Sequence, residues 1–171
     1  DKLDDSYEAI YGYDADGSGY TVYNNTSAAL NLAPGQAFMI ASDNTSTDNI
    51  SFTTDMRTMA GGDDLILGRI MQDSYGLILS IYKGDTEIDQ TKFYFKEGLT
   101  LGLDPGYDAG HFNQLAALTS RLVEEDEGVG FAINSMGLES IDDVVIPLEV
   151  NRESGNGFRI SIHTNDIYEG T

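Results

Sequence analysis

The sequence predicts an all-β protein folded as an antiparallel two-sheet β-sandwich. Short runs of β-branched and aromatic residues recur along the chain, and turn-forming segments such as DADGSG, KGD and ESGNG separate them. Helical periodicity is almost absent, so the chain lacks the βαβ alternation of an α/β protein. A series of about eleven strands at this spacing fits two packed antiparallel sheets.

Each predicted strand is a run of strand-forming residues bounded by turn formers. In GFRISIH, Phe158, Ile160 and Ile162 share one face of the strand, and the polar residues share the other. YGLILSIYK (75–83) is more continuously apolar, as expected of a central strand covered on both faces. One helical turn is predicted around 111–117. The predicted strands are 7–13, 19–24, 36–42, 49–54, 64–70, 75–83, 88–96, 118–123, 129–134, 143–150 and 157–163.

Charge and hydropathy exclude several classes of function. The chain has 171 residues and 40% hydrophobic residues, which suits one folded domain spanning 1–171. Nine Lys and Arg stand against 29 Asp and Glu, giving a formal charge of −20. Nucleic acid is therefore excluded as a partner, and an anionic membrane surface would repel the chain. No apolar run approaches the roughly 20 residues that membrane insertion needs.

The compartment is predicted from composition and from the start of the chain. There is no cysteine, so disulfides and thiolate metal sites are absent. Abundant Asn, Thr, Ser and Gly favour an extracellular or cell-surface setting. The chain begins at Asp1 without an initiator Met or signal peptide, so we expect it to be processed or excised from a larger exported protein.

Histidine is scarce and cysteine is absent, so catalysis would have to depend on the 29 acids. The only histidines are His111 and His163, and the latter falls on the polar face of the last strand. No nucleophile elbow is present. Adjacent acids such as Asp142–Asp143 would face opposite sides of a strand, which does not suit the paired carboxylates of a glycosidase. The sequence therefore predicts a protein that is not an enzyme.

The segment LGLDPGYDAG is the strongest candidate for a cation site. Asp104 and Asp108 bracket a Pro-Gly turn, and Glu97 closes the preceding strand. Carboxylate and carbonyl oxygens brought together in such a loop suit Ca²⁺, so a structural calcium ion is predicted here. The alternative is a turn in which the aspartates accept their own backbone N–H groups. Both alternatives use the same residues.

A second, weaker calcium pattern lies in DADGSG. Asp14, Asp16 and Ser18 occupy the first, third and fifth positions of an EF-hand-like loop. The twelfth position is Asn25 instead of Glu, and tyrosine-rich strands flank the loop instead of helices. A polar hairpin loop is the alternative interpretation.

Tyrosines provide the candidate ligand-binding surface. The chain has ten Tyr and no Trp, and Tyr7, Tyr11 and Tyr13 share one face of the first predicted strand. Tyrosine rings stack on sugar rings and offer a hydroxyl group, so an exposed stripe would bind glycan. The alternative is that the stripe belongs to the core.

The order of several motifs resembles a known family. The most specific motif is Gly-x-Asp-x-Gly-Tyr-Asp-Ala at 102–109. The sequence resembles the β-sandwich modules near the C-terminal end of large surface and secreted proteins exported by the type IX route. The matching segments are AIYGYD (9–14), APGQAFMI (33–40), FTTDMR (52–57), FKEGLTLGLDPGYDAGHF (95–112), FAINSM (131–136), VVIPLEV (144–150) and GFRISI (157–162).

The resemblance implies a jelly-roll-like fold, export, and binding or presentation without catalysis. Two features of the family are missing: its usual opening segment and its C-terminal sorting domain. We therefore expect a non-catalytic extracellular module that binds glycan or mediates adhesion to a surface partner, with a structural calcium site. The alternative is a structural repeat or spacer of a surface filament or stalk, which associates with itself through edge strands.

Overall fold

Strands and short 3-10 turns make up the regular structure. The computed structural model describes residues 2–13, 20–27, 31–32, 36–43, 49–58, 75–113, 115–152 and 157–165. These residues contain no α-helix, so the all-β prediction is confirmed and the helical turn predicted at 111–117 is wrong. The strands are β1 (Ile10–Tyr13), β2 (Tyr20–Tyr23), β3 (Phe38–Met39), β4 (Tyr75–Lys83), β5 (Thr86–Phe95), β6 (Ala109–Gly110), β7 (Leu118–Ser120), β8 (Phe131–Met136), β9 (Leu148–Val150) and β10 (Arg159–Asn165). The 3-10 turns are Asp5–Tyr7, Thr54–Met56 and Leu138–Ser140.

The strands form two sheets, as the sequence predicts. One is three-stranded with the order β2-β1-β3. The other is seven-stranded with the order β10-β4-β5-β8-β7-β9, and β6 pairs with β8 beside this path. One sheet is curled into a half-barrel. No helix among the described residues is long and apolar enough to cross a membrane.

The β4–β5 hairpin is the longest regular element and lies where the sequence places it. Its strands alternate good strand formers, and Gly84 adopts a φ of +63° in the turn between them. Only glycine enters that left-handed region without steric cost. Ile81 is fully buried and Leu79 nearly so, as expected for the continuously apolar run. A register shift follows Ile81.

All-antiparallel pairing is wrong at one point, because β5 and β8 run parallel with Lys92 opposite Ile133. Parallel neighbours need a long crossover, and residues 96–130 provide it, carrying β6 and β7 on the way. Hydrophobic alternation records which face a residue takes, and it holds no information on which strand becomes the neighbour.

The seven-stranded sheet buries apolar side chains on both faces around β5. On one face Phe93 and Phe95 of β5 pack with side chains of β4, β7 and β8. On the other face Tyr94 packs against the three-stranded sheet through Tyr11 of β1. The two sheets therefore meet through this second cluster. Its buried members are Ala9, Tyr11, Tyr94, Ala109 and Ile133.

Several shorter predicted strands are reduced or missing. The strand predicted at 49–54 is wrong, because these residues form an irregular segment that ends in the Thr54–Met56 turn. Phe52 is 73% exposed there and contacts Phe38 edge-on. Apolar alternation without a neighbouring strand to bond does not make a strand. The strand predicted at 64–70 lies outside the described residues.

The outer strands of the seven-stranded sheet expose apolar side chains. Among described strands, β10 pairs only with β4 and β9 pairs only with β7. Ile162 of β10 is 65% exposed, although it lies opposite the buried Leu79. Val150 of β9 is also exposed, opposite the fully buried Leu118. The apolar face of this sheet thus continues beyond its buried centre to both edges.

Candidate functional site

Asp108 lies at the centre of the loop that the sequence singles out. Its side chain is fully buried. One carboxylate oxygen accepts a hydrogen bond from the Ser135 backbone N–H at 2.6 Å, and the other accepts from the Asp104 N–H at 2.7 Å. Ser135 belongs to β8, so this carboxylate fastens the loop to the seven-stranded sheet.

Asp104 makes the same type of contact nearer the surface. Its Oδ2 accepts from the backbone N–H of Thr100 at 2.7 Å and from the Thr100 hydroxyl at 3.1 Å. Gly106, between the two aspartates, has a φ of +76°, which closes the turn. The aspartates therefore accept backbone N–H groups of residues four positions earlier, Thr100 and Asp104, and not their own as the turn alternative has it. Glu97 is exposed and lies on the surface after β5.

The same loop joins the two sheets. The Gly106 carbonyl accepts from the Asn25 N–H at 2.8 Å, just after β2. The Tyr107 carbonyl accepts from the side-chain amide of Asn24 and from the Ser135 hydroxyl, the latter at 2.8 Å. Because Asn24 follows β2 and Ser135 lies in β8, one carbonyl bonds to both layers. We call residues 100–108 the junction loop.

Burial raises the pKa of Asp108 to about 7. The backbone N–H groups of Asp104 and Ser135 favour the ionised carboxylate and oppose this shift, and the nearby charge of Asp104 adds to it. Desolvation shifts the pKa of Asp108 more than the two hydrogen bonds do, and no positive charge contributes to lowering it. Asp108 thus combines complete burial with two accepted backbone N–H groups.

A second carboxylate, partly buried and not singled out by the sequence, is Asp89 of β5. Its Oδ2 accepts from the N–H groups of Ala117 at 2.6 Å and Leu118 at 3.2 Å. His111 Nε2 lies 3.4 Å from its Oδ1. His111 Nδ1 accepts from the Asn113 N–H, so the imidazole presents its Nε2–H to the carboxylate. The sequence could have pointed to Asp89, because it is an acid within a run of strand-forming residues. An acid that becomes buried in a strand needs hydrogen-bond partners.

Burial by itself would raise the pKa of Asp89, yet the net shift is downward. The hydrogen bond from His111, its positive charge when protonated, and backbone N–H groups outweigh the desolvation. Asp89 is thus held ionised, with His111 turned towards it. His163, in contrast, is exposed on β10.

Of the predicted tyrosine stripe, Tyr11 lies in the core. Tyr11 is fully buried, its hydroxyl donates to the Gly110 carbonyl at 2.9 Å, and its ring stacks on Phe112 at 3.8 Å between centroids. Tyr7 is half-buried against the same ring. The side chain of Tyr13 lies outside the described residues. Tyr20, at 37% exposure, is a more accessible aromatic in this region.

Among the described residues, no group of three or more His, Asp or Glu side chains could hold a metal ion. Asp14, Asp16 and Ser18 lie outside the described part of the chain. Calcium at Asp104, Asp108 and Glu97 stays a prediction, and the oxygens of both aspartates already accept hydrogen bonds.

Comparison with known proteins adds no family. No protein-family model matches the sequence, and neither a curated protein nor a solved structure matches it. What the chain does therefore has to be argued from its own residues.

Proposed function

We propose that this chain is a non-catalytic module of a secreted or cell-surface protein, with a jelly-roll-like sandwich, and that it acts by association with neighbouring copies. The order of its sequence motifs, similar to that of type IX-exported modules, supports export. The engagement of Asp108 and of the partly buried Asp89 by backbone N–H groups supports the absence of catalysis.

The observation that carries the association is that β9 and β10, the outermost strands among the described residues of this sheet, expose apolar side chains. An edge strand presents unpaired backbone groups that can add a strand from another chain. Here each edge also presents exposed apolar side chains: Ile160 and Ile162 on β10, and Leu148 and Val150 on β9. Contiguous exposed apolar surface marks protein–protein contacts. Two such edges on one module allow copies to associate in series, as a filament, stalk or adhesive surface requires.

Glycan binding through the tyrosine stripe is less well supported. Tyr11 has no exposed surface and Tyr7 packs on Phe112, so neither presents an open ring to a sugar. The geometry therefore supports adhesion or filament assembly better than it supports glycan binding by these tyrosines.

Sedimentation velocity over a wide concentration range tests this proposal. The wild type should associate as its concentration rises. Ile162→Lys places a charge on the apolar side of β10 and should keep the chain monomeric, because edge lysines block strand addition. His163→Lys adds a lysine on the opposite face of the same strand and serves as the control. A wild type that stays monomeric throughout, or two variants that behave alike, would overturn the proposal.

A further inference from the structure

An open groove lies where the end of β9 and the start of β10 meet the β4–β5 hairpin. Its volume is about 470 Å³, within the range of roughly 300–1,000 Å³ for ligand sites. Lys83 and Ile88 come from the hairpin, and Leu115 comes from the loop before β7. Asn151 and Arg152 follow β9. Phe158 precedes β10 and completes the groove.

The described residues that line this groove carry a charge opposite to that of the chain. Acids outnumber bases 29 to nine, yet the described lining includes two cations, Lys83 and Arg152, and no acid. Within the described part of the chain neither cation makes an ion pair. Acids elsewhere on the same strands have other partners: Glu149 pairs with Arg121, and Glu87 accepts from the Tyr82 hydroxyl at 2.8 Å. Two cations that face one groove and have no ion-pair partner among the described residues leave a place for an external anion.

The rest of the lining suits a sugar ring. Phe158 is 48% exposed and Leu115 is 79% exposed, so both present apolar surface to an occupant. Asn151 is exposed and carries an amide that can donate and accept hydrogen bonds. An aromatic face beside an amide and a planar guanidinium recognises C–H faces, hydroxyls and carboxylates together.

We propose that this groove binds an acidic polysaccharide, a chain whose sugars carry carboxylates. The Arg152 guanidinium takes a carboxylate with two parallel hydrogen bonds, and the Lys83 ammonium holds a second one along the chain. The Phe158 ring stacks on the sugar between them, and Asn151 bonds to its hydroxyls. The groove is open, which lets a polymer pass through it.

The net charge limits the strength of this binding without preventing it. The remaining acids repel an anionic polymer at long range, but charges more than about 8 Å apart are largely screened at physiological ionic strength. Contacts at Arg152 and Lys83 are screened less, because they are made at direct contact. We therefore expect modest affinity that depends on the groove cations and not on the overall charge.

The proposal goes beyond association through the edges and is tested separately by isothermal titration calorimetry on the whole chain. The probes are an oligogalacturonate of defined length, its neutral methyl ester, and an oligo-glutamate of similar charge. The oligogalacturonate should bind, and the ester should bind at least about tenfold more weakly, because a charged hydrogen bond contributes more than 1.4 kcal/mol. Tighter binding of oligo-glutamate would assign the groove to an acidic peptide instead.

Matched variants place the binding in the groove. Arg152→Gln should weaken binding about tenfold, and Phe158→Ala should weaken it severalfold. Arg57→Gln and Phe52→Ala are the controls, since both residues are exposed in 49–58, outside the groove lining. Ile162→Lys should bind the oligogalacturonate as tightly as the wild type does. Groove binding can therefore be confirmed even if the chain does not associate through its edge strands. No binding by the wild type at millimolar ligand, or equal losses in groove and control variants, would overturn the proposal.

Discussion

Asp108 and Asp89 do the same structural task in opposite electrostatic surroundings. Each accepts backbone N–H groups from a distant part of the chain, Asp108 from β8 and Asp89 from the start of β7. Asp89 has His111 at 3.4 Å and stays partly solvated, whereas Asp108 is fully buried without a cation among the groups that shift its pKa. Hydrogen-bond geometry therefore does not determine the charge state. The neighbouring cation and the access to water decide it.

Replacing Asp108 by Ala should have the largest effect on stability. Two backbone N–H groups, the buried one of Ser135 and the partly buried one of Asp104, would lose their acceptor, and each such loss costs about 1–3 kcal/mol. We expect a loss of about 3 kcal/mol or more in the free energy of unfolding, measured by urea titration. Asp126→Ala is the control, because Asp126 is exposed and accepts only from the Gly128 N–H. Equal losses in the two variants would contradict a junction role for Asp108.

The pH dependence of stability should separate the two aspartates. The folded pKa of Asp108 is raised to about 7 from 3.8, so its stabilising contribution is complete below the unfolded value and is lost as pH rises towards 7. The free energy of unfolding of the wild type should fall relative to Asp108→Asn between pH 4 and 7, by about 1 kcal/mol per pH unit. Urea titrations at several pH values measure it. A difference that grows with pH would show that Asp108 is ionised in the folded state.

Replacing Asp89 by Ala should cost less than replacing Asp108, about 2 kcal/mol. It also removes acceptors from two backbone N–H groups, but its side chain is 15% exposed, so water can replace part of what is lost. Urea unfolding of both alanine variants in one buffer tests the order. A larger loss at Asp89 would mean that solvent access does not explain the difference.

His111→Gln tests the contribution of the cation to Asp89. The pKa of Asp89 is lowered, so its stabilising contribution is present above the unfolded pKa and is lost as pH falls through the folded pKa. Without His111 that pKa should rise, and acid unfolding should begin at higher pH with a change below about 1 kcal/mol at neutral pH. A carbon-13 NMR titration of the Asp89 carboxyl group follows the shift. His163→Gln, on the exposed face of β10, should change nothing.

Calcium should have the smallest effect at the junction loop. Hydrogen bonds already engage both aspartates, so we expect saturating calcium to change the melting temperature little relative to EDTA. A ligand that binds only the folded state at a hundredfold excess over its Kd would add about 2.7 kcal/mol. A rise of that size, abolished by Glu97→Gln, would establish the calcium site that the sequence predicts.

The long strands could be predicted from sequence because their signal is local. The run at 75–83 is continuously apolar, KGD supplies its turn, and the hairpin forms as predicted. The segment at 49–54 has the same kind of alternation over fewer residues and has no neighbouring strand among the described residues. The parallel β5–β8 pair depends on partners that local patterns do not encode.

In the candidate sites, too, the sequence shows the residue types but not the partners that the fold brings to them. The sequence places Asp104 and Asp108 in a turn, but the group that fixes the role of Asp108 is an N–H 27 residues further on. Asp89 and His111 come together only through the fold, as do Lys83 and Arg152 in the groove. Residue types could be read from the sequence, whereas the partners that give them a role required the structure.

The position of β10 has a consequence for how the chain reaches its native state. β10 is the last described strand along the chain, yet it pairs with β4, near the middle of the sequence. During synthesis, the outer side of β4 stays without this partner until residues 159–165 emerge. β4 therefore gains β10 as its partner late, and hydrogen exchange should show β10 opening before the β4–β5 hairpin.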